Sequence, residues 1–282
     1  MLICPVCQHP LNQHDRRWSC SSQHHFDLAK QGYVNLLLNN AKKSKQPGDN
    51  AAMVQARHHF LNSGAYQSIS DTVNQILVEH LWQQSTPNVL DLACGEGYYT
   101  HRMQQALSDL PIEPKVFGLD ISKDAIRWAC KRGQDVTWMV ANGFKAPFQD
   151  HSLHAVVNMF NRVVPSALHQ LCRPEGIVIT ATSGSHHLQQ MKEVIYPNPR
   201  FEAFDVIKTM SSAFTHHSRH PLDFTVELNS EQMKHLIAMT PHAWRSSPET
   251  QQRLTGQEGF LLRVQVNIDC FTPLPSNKPI TD

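Results

Sequence analysis

The residues best suited to do chemistry lie where an apolar, strand-like segment runs into a turn that contains glycine. Residues 89–100 read V-L-D-L-A-C-G-E-G-Y-Y-T, and a second apolar segment ends in Asp120, 25 residues after Gly95. Small residues in such a turn allow backbone N–H groups to approach a ligand, and an acid at the end of the next strand accepts hydrogen bonds from ribose hydroxyls. The spacing therefore predicts a nucleoside-type cofactor site that includes Gly95, Gly97 and Asp120.

A second group of reactive side chains, thiols and imidazoles, lies near the N-terminus. Cys4, Cys7 and Cys20 are followed by His24 and His25, which gives a C-x2-C spacing and then C-x3-H. Thiolate and imidazole are donors that Zn²⁺ prefers, and four protein ligands leave no open position for catalysis. The spacing predicts a structural zinc site on a short β-ribbon, with either histidine as the fourth ligand. The metal would supply much of the folding energy of this small module.

Charge and cysteine usage limit the class of protein and its compartment. The net charge is +1, so overall charge does not drive nucleic-acid binding. Residues 1–45 nevertheless carry a formal charge of +4, and Lys42, Lys43 and Lys45 lie in a basic loop that either binds phosphates or is an ordinary solvated surface. The chain has seven cysteines and no apolar stretch approaching the roughly 20 residues that span a bilayer. Its first residues, M-L-I-C-P-V-C, lack the charged segment and long apolar region of a secretory signal, so we expect none. These features predict a cytoplasmic protein without a membrane partner.

Strand-like and helix-like segments alternate from residue 86 onward. The alternation implies right-handed βαβ crossovers, and it predicts an α/β fold with a doubly wound, Rossmann-like sheet and an antiparallel edge. The predicted strands are 89–92, 116–120, 136–141, 155–159, 177–182 and 262–271. The predicted helices are 50–61, 67–84, 98–107, 124–132, 166–172 and 231–239, and a turn is predicted at 173–176. We expect a zinc-binding module over 1–36, a basic loop and helical connector over 37–85, and a cofactor-binding domain over 86–282.

Several motifs together resemble those of one enzyme family. Besides the cysteine–histidine module and C-G-E-G-Y-Y-T, they are K-x-S-K-Q-P-G-D at 42–49, Q-A-R at 55–57, I-T-A-T at 179–182 and M-T-P-H-A-W-R at 239–245. With them, the chain resembles the bacterial 23S ribosomal RNA (guanine-N1)-methyltransferases over nearly its whole length. The resemblance implies a class I methyltransferase fold, S-adenosylmethionine as the methyl donor and a zinc module that recognises RNA. It also implies that the methyl group goes to N1 of a guanine in a stem-loop.

The resemblance assigns residues to both cofactors. The zinc ligands that it implies are Cys4, Cys7, Cys20 and His24. The residues assigned to S-adenosylmethionine by the resemblance and the glycine-turn pattern are Tyr66, Gly95, Glu96, Gly97, Asp120 and His187. Without the family pattern, Tyr66 is interpreted as a core aromatic residue and His187 as a surface histidine.

Three departures from the family pattern keep other interpretations open. Ala93 replaces a glycine, N-M-F-N-R-V-V-P stands at 158–165, and Pro-Glu-Gly stands at 174–176. Because residues 158–165 border the target base in this fold, a retargeted or non-catalytic zinc-dependent RNA-binding paralogue is one alternative. A small-molecule S-adenosylmethionine methyltransferase is another, and the sequence leaves a homodimer open.

Four further residues are candidates for contact with the target base. Trp244 or Phe160 would stack on a base flipped out of the RNA, although each is also a candidate core residue. Asn158 and Asn161 would orient the guanine edge by hydrogen bonds. No carboxylate is placed by the sequence so that it can be named as a general base.

Overall fold

The computed structural model describes residues 1–38, 48–256 and 259–275, and within these ranges it leaves out the side chains of residues 243 and 244. The predicted phosphate contacts of Lys42, Lys43 and Lys45 therefore lie outside the described residues, and so does the predicted stacking by the Trp244 side chain. Within the described ranges, no helix is both long enough and apolar enough to cross a membrane.

The N-terminal residues form a small three-stranded antiparallel sheet. Its strands are β1 (Asn12–His14), β2 (Arg17–Ser19) and β3 (His25–Asp27), in the spatial order β1-β2-β3. The predicted β-ribbon between Cys7 and Cys20 is thus formed by β1 and β2. We call residues 1–28 with these three strands the ribbon.

The described residues also form an eight-stranded mixed sheet. Its strands are β4 (Val34–Asn35), β5 (Asn88–Leu92), β6 (Lys115–Asp120), β7 (Val136–Val140), β8 (Leu153–Met159), β9 (Cys172–Ser183), β10 (Phe214–Leu228) and β11 (Phe260–Pro273). The spatial order is β10-β11-β9-β8-β5-β6-β7-β4, with β11 antiparallel to both of its neighbours and the other pairs parallel. From β5, successive strands add outward first on one side and then on the other, which places a topological switch point between β5 and β8. The predicted doubly wound sheet with an antiparallel edge is confirmed.

Helices connect the strands and cover the sheet. They are α1 (Ala51–Asn62), α2 (Gln67–Leu81), α3 (Tyr98–Ser108), α4 (Lys123–Ala129), α5 (Pro165–Leu171), α6 (Gln189–Ile195), α7 (Val206–Met210), α8 (Ser230–Ala238) and α9 (Pro248–Thr255), with 3-10 turns at Gly143–Lys145 and Pro241–Arg245. α1 begins where predicted, because the Asn50 side chain accepts a hydrogen bond from the Met53 N–H at 3.0 Å and satisfies one of its free donors.

Buried apolar side chains form one cluster on each face of the sheet. The face bearing Val89 and Val157 is covered by α1, α2, α3, α4, α6 and α8. The opposite face, bearing Leu90 and Val156, is covered by α5, α7 and the ribbon. The ribbon thus occupies part of a sheet face that would otherwise be open to water.

Two parts of the C-terminal half differ from the sequence-based expectation. The turn predicted at residues 173–176 lies inside β9, where the pairing with β8 changes register between Leu153 and Ala155 and the extra residues bulge outward. The long strand β10 was not predicted, because it is a half-exposed edge strand rich in histidine and charge. Pro221 is tolerated within it because an edge strand has unpaired N–H positions.

Candidate functional site

The glycine turn after β5 is held against the end of β6 by Asp120. The Gly95 N–H donates to Oδ2 of Asp120 at 2.9 Å, and the Ser122 N–H donates to Oδ1 at 2.7 Å. Burial raises the pKa of Asp120, and the two N–H donors oppose that rise because they favour the charged form. Each carboxylate oxygen still has a lone pair free, so Asp120 can hold the turn and accept a ligand hydroxyl at the same time.

Beneath the turn, a second buried acid forms the floor of the site. The Thr100 hydroxyl donates to Oδ2 of Asp91 at 2.6 Å. Burial raises the pKa of Asp91 to about 7, and the nearby Asp120 charge contributes to the rise. Tyr99 precedes Thr100 in α3, and its hydroxyl is buried with no hydrogen-bond partner among the described residues. This hydroxyl is therefore available to form a hydrogen bond with a ligand.

Glu96, the central residue of the turn, is buried and contacts Arg132 and His58. Its Oε2 lies 2.5 Å from Nη2 of Arg132 and 3.0 Å from Nδ1 of His58. Arg132 also donates from Nε to the Glu96 backbone oxygen at 3.0 Å, and this hydrogen bond holds the turn in place. The other carboxylate oxygen, Oε1, is buried without a partner among the described residues and remains an acceptor at the wall of the site.

These groups surround a cavity of about 330 Å³ at the carboxyl ends of β5 and β6, which we call the cofactor cavity. Its lining is Gly48, Asp49, Arg57, Leu61, Asp91, Ala93, Cys94, Gly95, Glu96, Tyr98, Tyr99, Asp120, Ile121, Met159, Phe160 and Asn161. The cavity lies beside the switch point of the sheet, where α/β proteins bind nucleotides. Its unpartnered Tyr99 and Glu96 oxygens and the Asp120 carboxylate fit a ligand with an amino group and ribose hydroxyls. S-adenosylmethionine is such a ligand.

Gly97, which the pattern also assigned to the cofactor, lies outside the lining of this cavity. It precedes the first residue of α3, with a φ of +81°. A Cβ at this position would lie 2.7 Å from Cη2 of Trp138 and 2.9 Å from Cβ of Ala129. The absence of a side chain therefore allows α3 to pack closely against the sheet.

Tyr66 and His187 come together as a buried pair next to the cofactor cavity. The Gln265 N–H donates to Nδ1 of His187 at 3.3 Å, and burial lowers the pKa of His187 to about 4, so the ring is neutral. A neutral ring that accepts at Nδ1 carries its proton on Nε2, which lies 3.3 Å from the Tyr66 hydroxyl. Nε2 therefore donates to Tyr66, whose own O–H remains free to donate. The aromatic ring of Phe160 stacks on His187 with a centroid distance of 6.3 Å.

A second cavity, of about 580 Å³, lies at the carboxyl ends of β8 and β9, and we call it the base cavity. Phe160 and Asn161 line both this cavity and the cofactor cavity. Nδ2 of Asn161 donates to Oδ1 of Asn158 at 3.0 Å, which leaves the Asn161 amide oxygen to accept from a ligand. Glu202, an exposed carboxylate that the sequence analysis did not assign, also lines the base cavity.

Three residues other than glycine have positive φ around these cavities. They are Ala93 (φ +61°), Phe160 (φ +50°) and Leu188 (φ +57°). Such a conformation costs about 1–2 kcal/mol for a residue with a Cβ, and strained positions of this kind cluster at functional sites. Ala93 therefore adopts the left-handed conformation that the glycine of the family pattern takes without strain.

Asp49 and Arg57 are site residues that the sequence analysis quoted in motifs without giving them a role. Nη1 of Arg57 is paired with Oδ2 of Asp49, and Nη2 donates to the Met239 backbone oxygen at 3.2 Å. The Ser122 hydroxyl donates to the Asp49 backbone oxygen at 2.9 Å, which holds residues 48–49 over the end of β6. The signal that would have found them is their presence in the quoted motifs Q-P-G-D and Q-A-R. Asp49 lines the cavity just before α1, and Arg57 lines it from α1 itself.

In the ribbon, one ligand atom from each of Cys4, Cys7, Cys20 and His24 lies within 4.8 Å of all the others. The sulfurs of Cys7 and Cys20 are 3.6 Å apart, and Nδ1 of His24 lies 3.6 Å from the Cys4 sulfur and 3.5 Å from that of Cys20. Tetrahedral zinc with bonds of about 2.3 Å to sulfur and 2.0 Å to nitrogen sets its ligands about 3.5–3.8 Å apart. The donor set fits zinc, whereas His25 is exposed on β3 and outside this group.

Comparison with protein-family models identifies both parts of the chain. Residues 2–45 match a zinc-ribbon model described as the N-terminal part of RlmA, and residues 89–176 match a methyltransferase domain. Among solved structures, that of the [4+2]-cyclase SpnF has a TM-score of 0.50 at 13% identity and covers 82% of this chain and 100% of its own. That likeness shows the fold alone. Fold and site together define an S-adenosylmethionine-dependent methyltransferase with an N-terminal zinc ribbon, whose cofactors are S-adenosylmethionine and structural Zn²⁺.

Curated relatives match the chain almost from end to end. It is 26% identical over 280 residues to the 23S rRNA (guanine(748)-N(1))-methyltransferase of Streptomyces fradiae, with 97% of each protein covered. It is 25% identical over 277 residues to YxjB of Bacillus subtilis (strain 168), by name also a 23S rRNA (guanine-N(1)-)-methyltransferase, with 95% of each covered. The resemblance to the 23S rRNA (guanine-N1)-methyltransferases that the motifs predict is confirmed.

Proposed function

We propose that this enzyme transfers a methyl group from S-adenosylmethionine to N1 of a guanine in a stem-loop of 23S ribosomal RNA. The observation that carries the proposal is the pair of adjoining cavities that share Phe160 and Asn161. One has the acid and glycine turn suited to a nucleoside cofactor, and the other offers a ring and an amide beside it. The names of the curated relatives supply the substrate class.

The residues proposed to hold the cofactors are those assigned from the sequence. For S-adenosylmethionine they are Tyr66, Gly95, Glu96, Gly97, Asp120 and His187, and for the structural Zn²⁺ they are Cys4, Cys7, Cys20 and His24. We also propose the division into 1–36, 37–85 and 86–282 and the cytoplasm as the compartment, since ribosomal RNA is there. A homodimer remains a prediction.

The chain's own contribution to the reaction is to place a guanine. S-adenosylmethionine supplies a methyl group on a sulfonium, which is reactive enough for alignment to account for much of the rate. Phe160 offers a ring for stacking the flipped base, and the Asn161 amide oxygen accepts from the guanine amino group. N1 must release its proton as it forms the new bond.

The test is methyl transfer from radiolabelled S-adenosylmethionine to unmodified 23S rRNA transcribed in vitro, with the modified nucleoside identified by mass. We expect 1-methylguanosine. Transcript that already carries the modification is the control, and it should accept no further methyl group.

Two outcomes would contradict the proposal. Tight RNA binding without any product would indicate the non-catalytic paralogue. Turnover of small acceptors with none of RNA would indicate the small-molecule enzyme.

A further inference from the structure

An exposed phenylalanine and an arginine form a surface pair beside the base cavity. Phe144 lies in the 3-10 turn Gly143–Lys145 after β7, and its side chain is 49% exposed. Arg162, which follows β8, places its guanidinium carbon 5.6 Å from the centre of the Phe144 ring. The turn is held by the Asn142 side chain, which accepts from the Phe144 N–H at 3.0 Å. The backbone of the turn is therefore held in place, and the Phe144 ring remains open to solvent.

Arg162 forms no ion pair within the described part of the chain. None of the ion pairs among the described residues includes Arg162 or the adjacent Lys145. Phe144 is exposed, so burial in the core does not account for an aromatic residue at this position. Arg162 pairs with no carboxylate among the described residues, so an ion pair does not account for the arginine. A planar guanidinium on an exposed aromatic ring is the arrangement that stacks on nucleobases and contacts phosphate.

The pair also joins two cavities. Arg162 lines the base cavity together with Phe160. Phe144 and Lys145 line a cavity of about 630 Å³ that is also lined by Pro5 and Gln8 of the ribbon. Through Phe144 and Arg162, the cavity that the ribbon lines thus adjoins the base cavity.

The ribbon is attached next to this pair by backbone hydrogen bonds. The Ile3 N–H donates to the Pro147 oxygen at 2.9 Å, and the Gln149 N–H donates to the Met1 oxygen at 2.7 Å. These bonds hold the ribbon at the loop that follows the Phe144 turn. The distance from the ribbon to the base cavity is therefore set by the fold.

We propose that Phe144 and Arg162 form a stacking platform for an unpaired nucleotide next to the target guanine, with Arg162 and Lys145 facing its phosphate. The inference rests on the proposed function, and it specifies which RNA the site prefers. Because stacking needs an unpaired base with an open face, the platform binds a single-stranded loop and leaves a continuous duplex unrecognised.

The test compares Phe144→Ala and Phe144→Trp in the zinc-loaded, full-length protein. Trp82→Ala is the matched control: Trp82 is another exposed aromatic, 57% exposed, and lies at the far end of α2, about 24 Å along the helix from Tyr66. Filter binding measures the Kd for unmodified 23S rRNA transcript and for a fully paired RNA duplex, and calorimetry measures the Kd for S-adenosylmethionine.

We expect Phe144→Ala to weaken transcript binding by about 10-fold, as the loss of one stacked base predicts. Phe144→Trp should restore it, and duplex and S-adenosylmethionine binding should not change. Equal transcript affinity for Phe144→Ala and the unchanged protein would overturn the platform, and so would an equal loss of duplex affinity. The binding assay needs no methyl transfer. A wild-type protein that methylates no RNA would therefore contradict the proposed function, but it would not affect the comparison of transcript affinities that tests the platform.

Discussion

At the scale of single residues, Asp120 both holds the glycine turn in place and lines the cofactor cavity. Its two oxygens accept the N–H groups of Gly95 and Ser122, so the carboxylate closes the glycine turn onto the end of β6. The same oxygens line the cofactor cavity, where ribose hydroxyls would donate to them. Loss of this side chain therefore removes a ligand contact and also loosens the turn that supplies the backbone contacts.

We predict that Asp120→Ala weakens S-adenosylmethionine binding by about 10- to 100-fold, because hydrogen bonds to a charged acceptor contribute roughly 1.5–3 kcal/mol. Isothermal titration calorimetry measures the change, and circular dichroism checks the fold. Asp124→Ala is the control, since Asp124 is a half-exposed acid in the first turn of α4 that pairs with Arg127 at 3.2 Å and lies outside the cofactor cavity. Wild-type affinity in Asp120→Ala would remove Asp120 from the cofactor site.

At the scale of elements, Trp138 on β7 determines how closely the glycine turn and α3 can pack against the sheet. Its indole is buried and donates from Nε1 to the Gly133 oxygen at 3.0 Å. A Cβ on Gly118 of β6 would lie 2.3 Å from Trp138 Cζ3, and one on Gly97 would lie 2.7 Å from Cη2. Glycine at both positions makes room for the indole, and Gly97 in addition has the positive φ at which α3 begins.

Gly97→Ala should lower the free energy of unfolding by about 2–5 kcal/mol, since backbone strain of about 1–2 kcal/mol adds to overpacking of about 1–3 kcal/mol. Gly64→Ala is the matched control. It also has a positive φ, of +84°, but its Cβ would meet nothing closer than a glutamine oxygen at 3.9 Å. Urea denaturation measures the free energy of unfolding of both variants and so separates backbone strain from steric overlap with Trp138. If both variants lost the same free energy of unfolding, overlap with Trp138 would not be the cause.

At the scale of the whole molecule, the zinc ribbon is part of the core of the sheet. Leu2 and Leu11 of the ribbon belong to the same buried cluster as Phe117, Met139 and Phe148 of the larger domain. Leu2 also pairs with Phe148 in an isolated antiparallel bridge, and β4 extends the large sheet beside β7. The ribbon is too small to fold on its own core, so it needs the metal in order to fold. Because the folded ribbon covers this face of the sheet, metal binding also keeps the face buried.

We expect Cys7→Ser to lose the metal and to lower Tm by about 5–15 °C, at roughly 2–4 °C for each kcal/mol in a protein of this size. Affinity for S-adenosylmethionine should stay within a few-fold, because the cofactor cavity contains no ribbon residue. Elemental analysis, calorimetry and a dye that binds exposed apolar surface provide the measurements. Cys130→Ser, a half-buried cysteine outside the cluster, is the control that should keep its zinc. An unchanged Tm in metal-free protein would show that the ribbon does not stabilise the sheet.

Local patterns of the sequence were sufficient for the motif-bearing part of the fold. β5, the glycine turn, α3 and β6 follow from an apolar run, small residues and a helix start within about 30 residues. The cysteine spacing likewise indicated a zinc module before any geometry, because the ligands of a ribbon lie close together along the chain. β10, α6 and α9 were missed, since their half-exposed, polar sequences have no strong periodic signal.

The sequence by itself determined the class of cofactor, the metal-binding module and the order of strands and helices around the glycine turn. Tertiary structure alone decided what meets across the site. Tyr66 and His187 are 121 residues apart and form one hydrogen-bonded pair, and Phe144 meets Arg162 from a different strand end. The physical reason is that turns and ligand spacings depend on neighbouring residues. Contacts between distant segments depend instead on how the two faces of the sheet are packed.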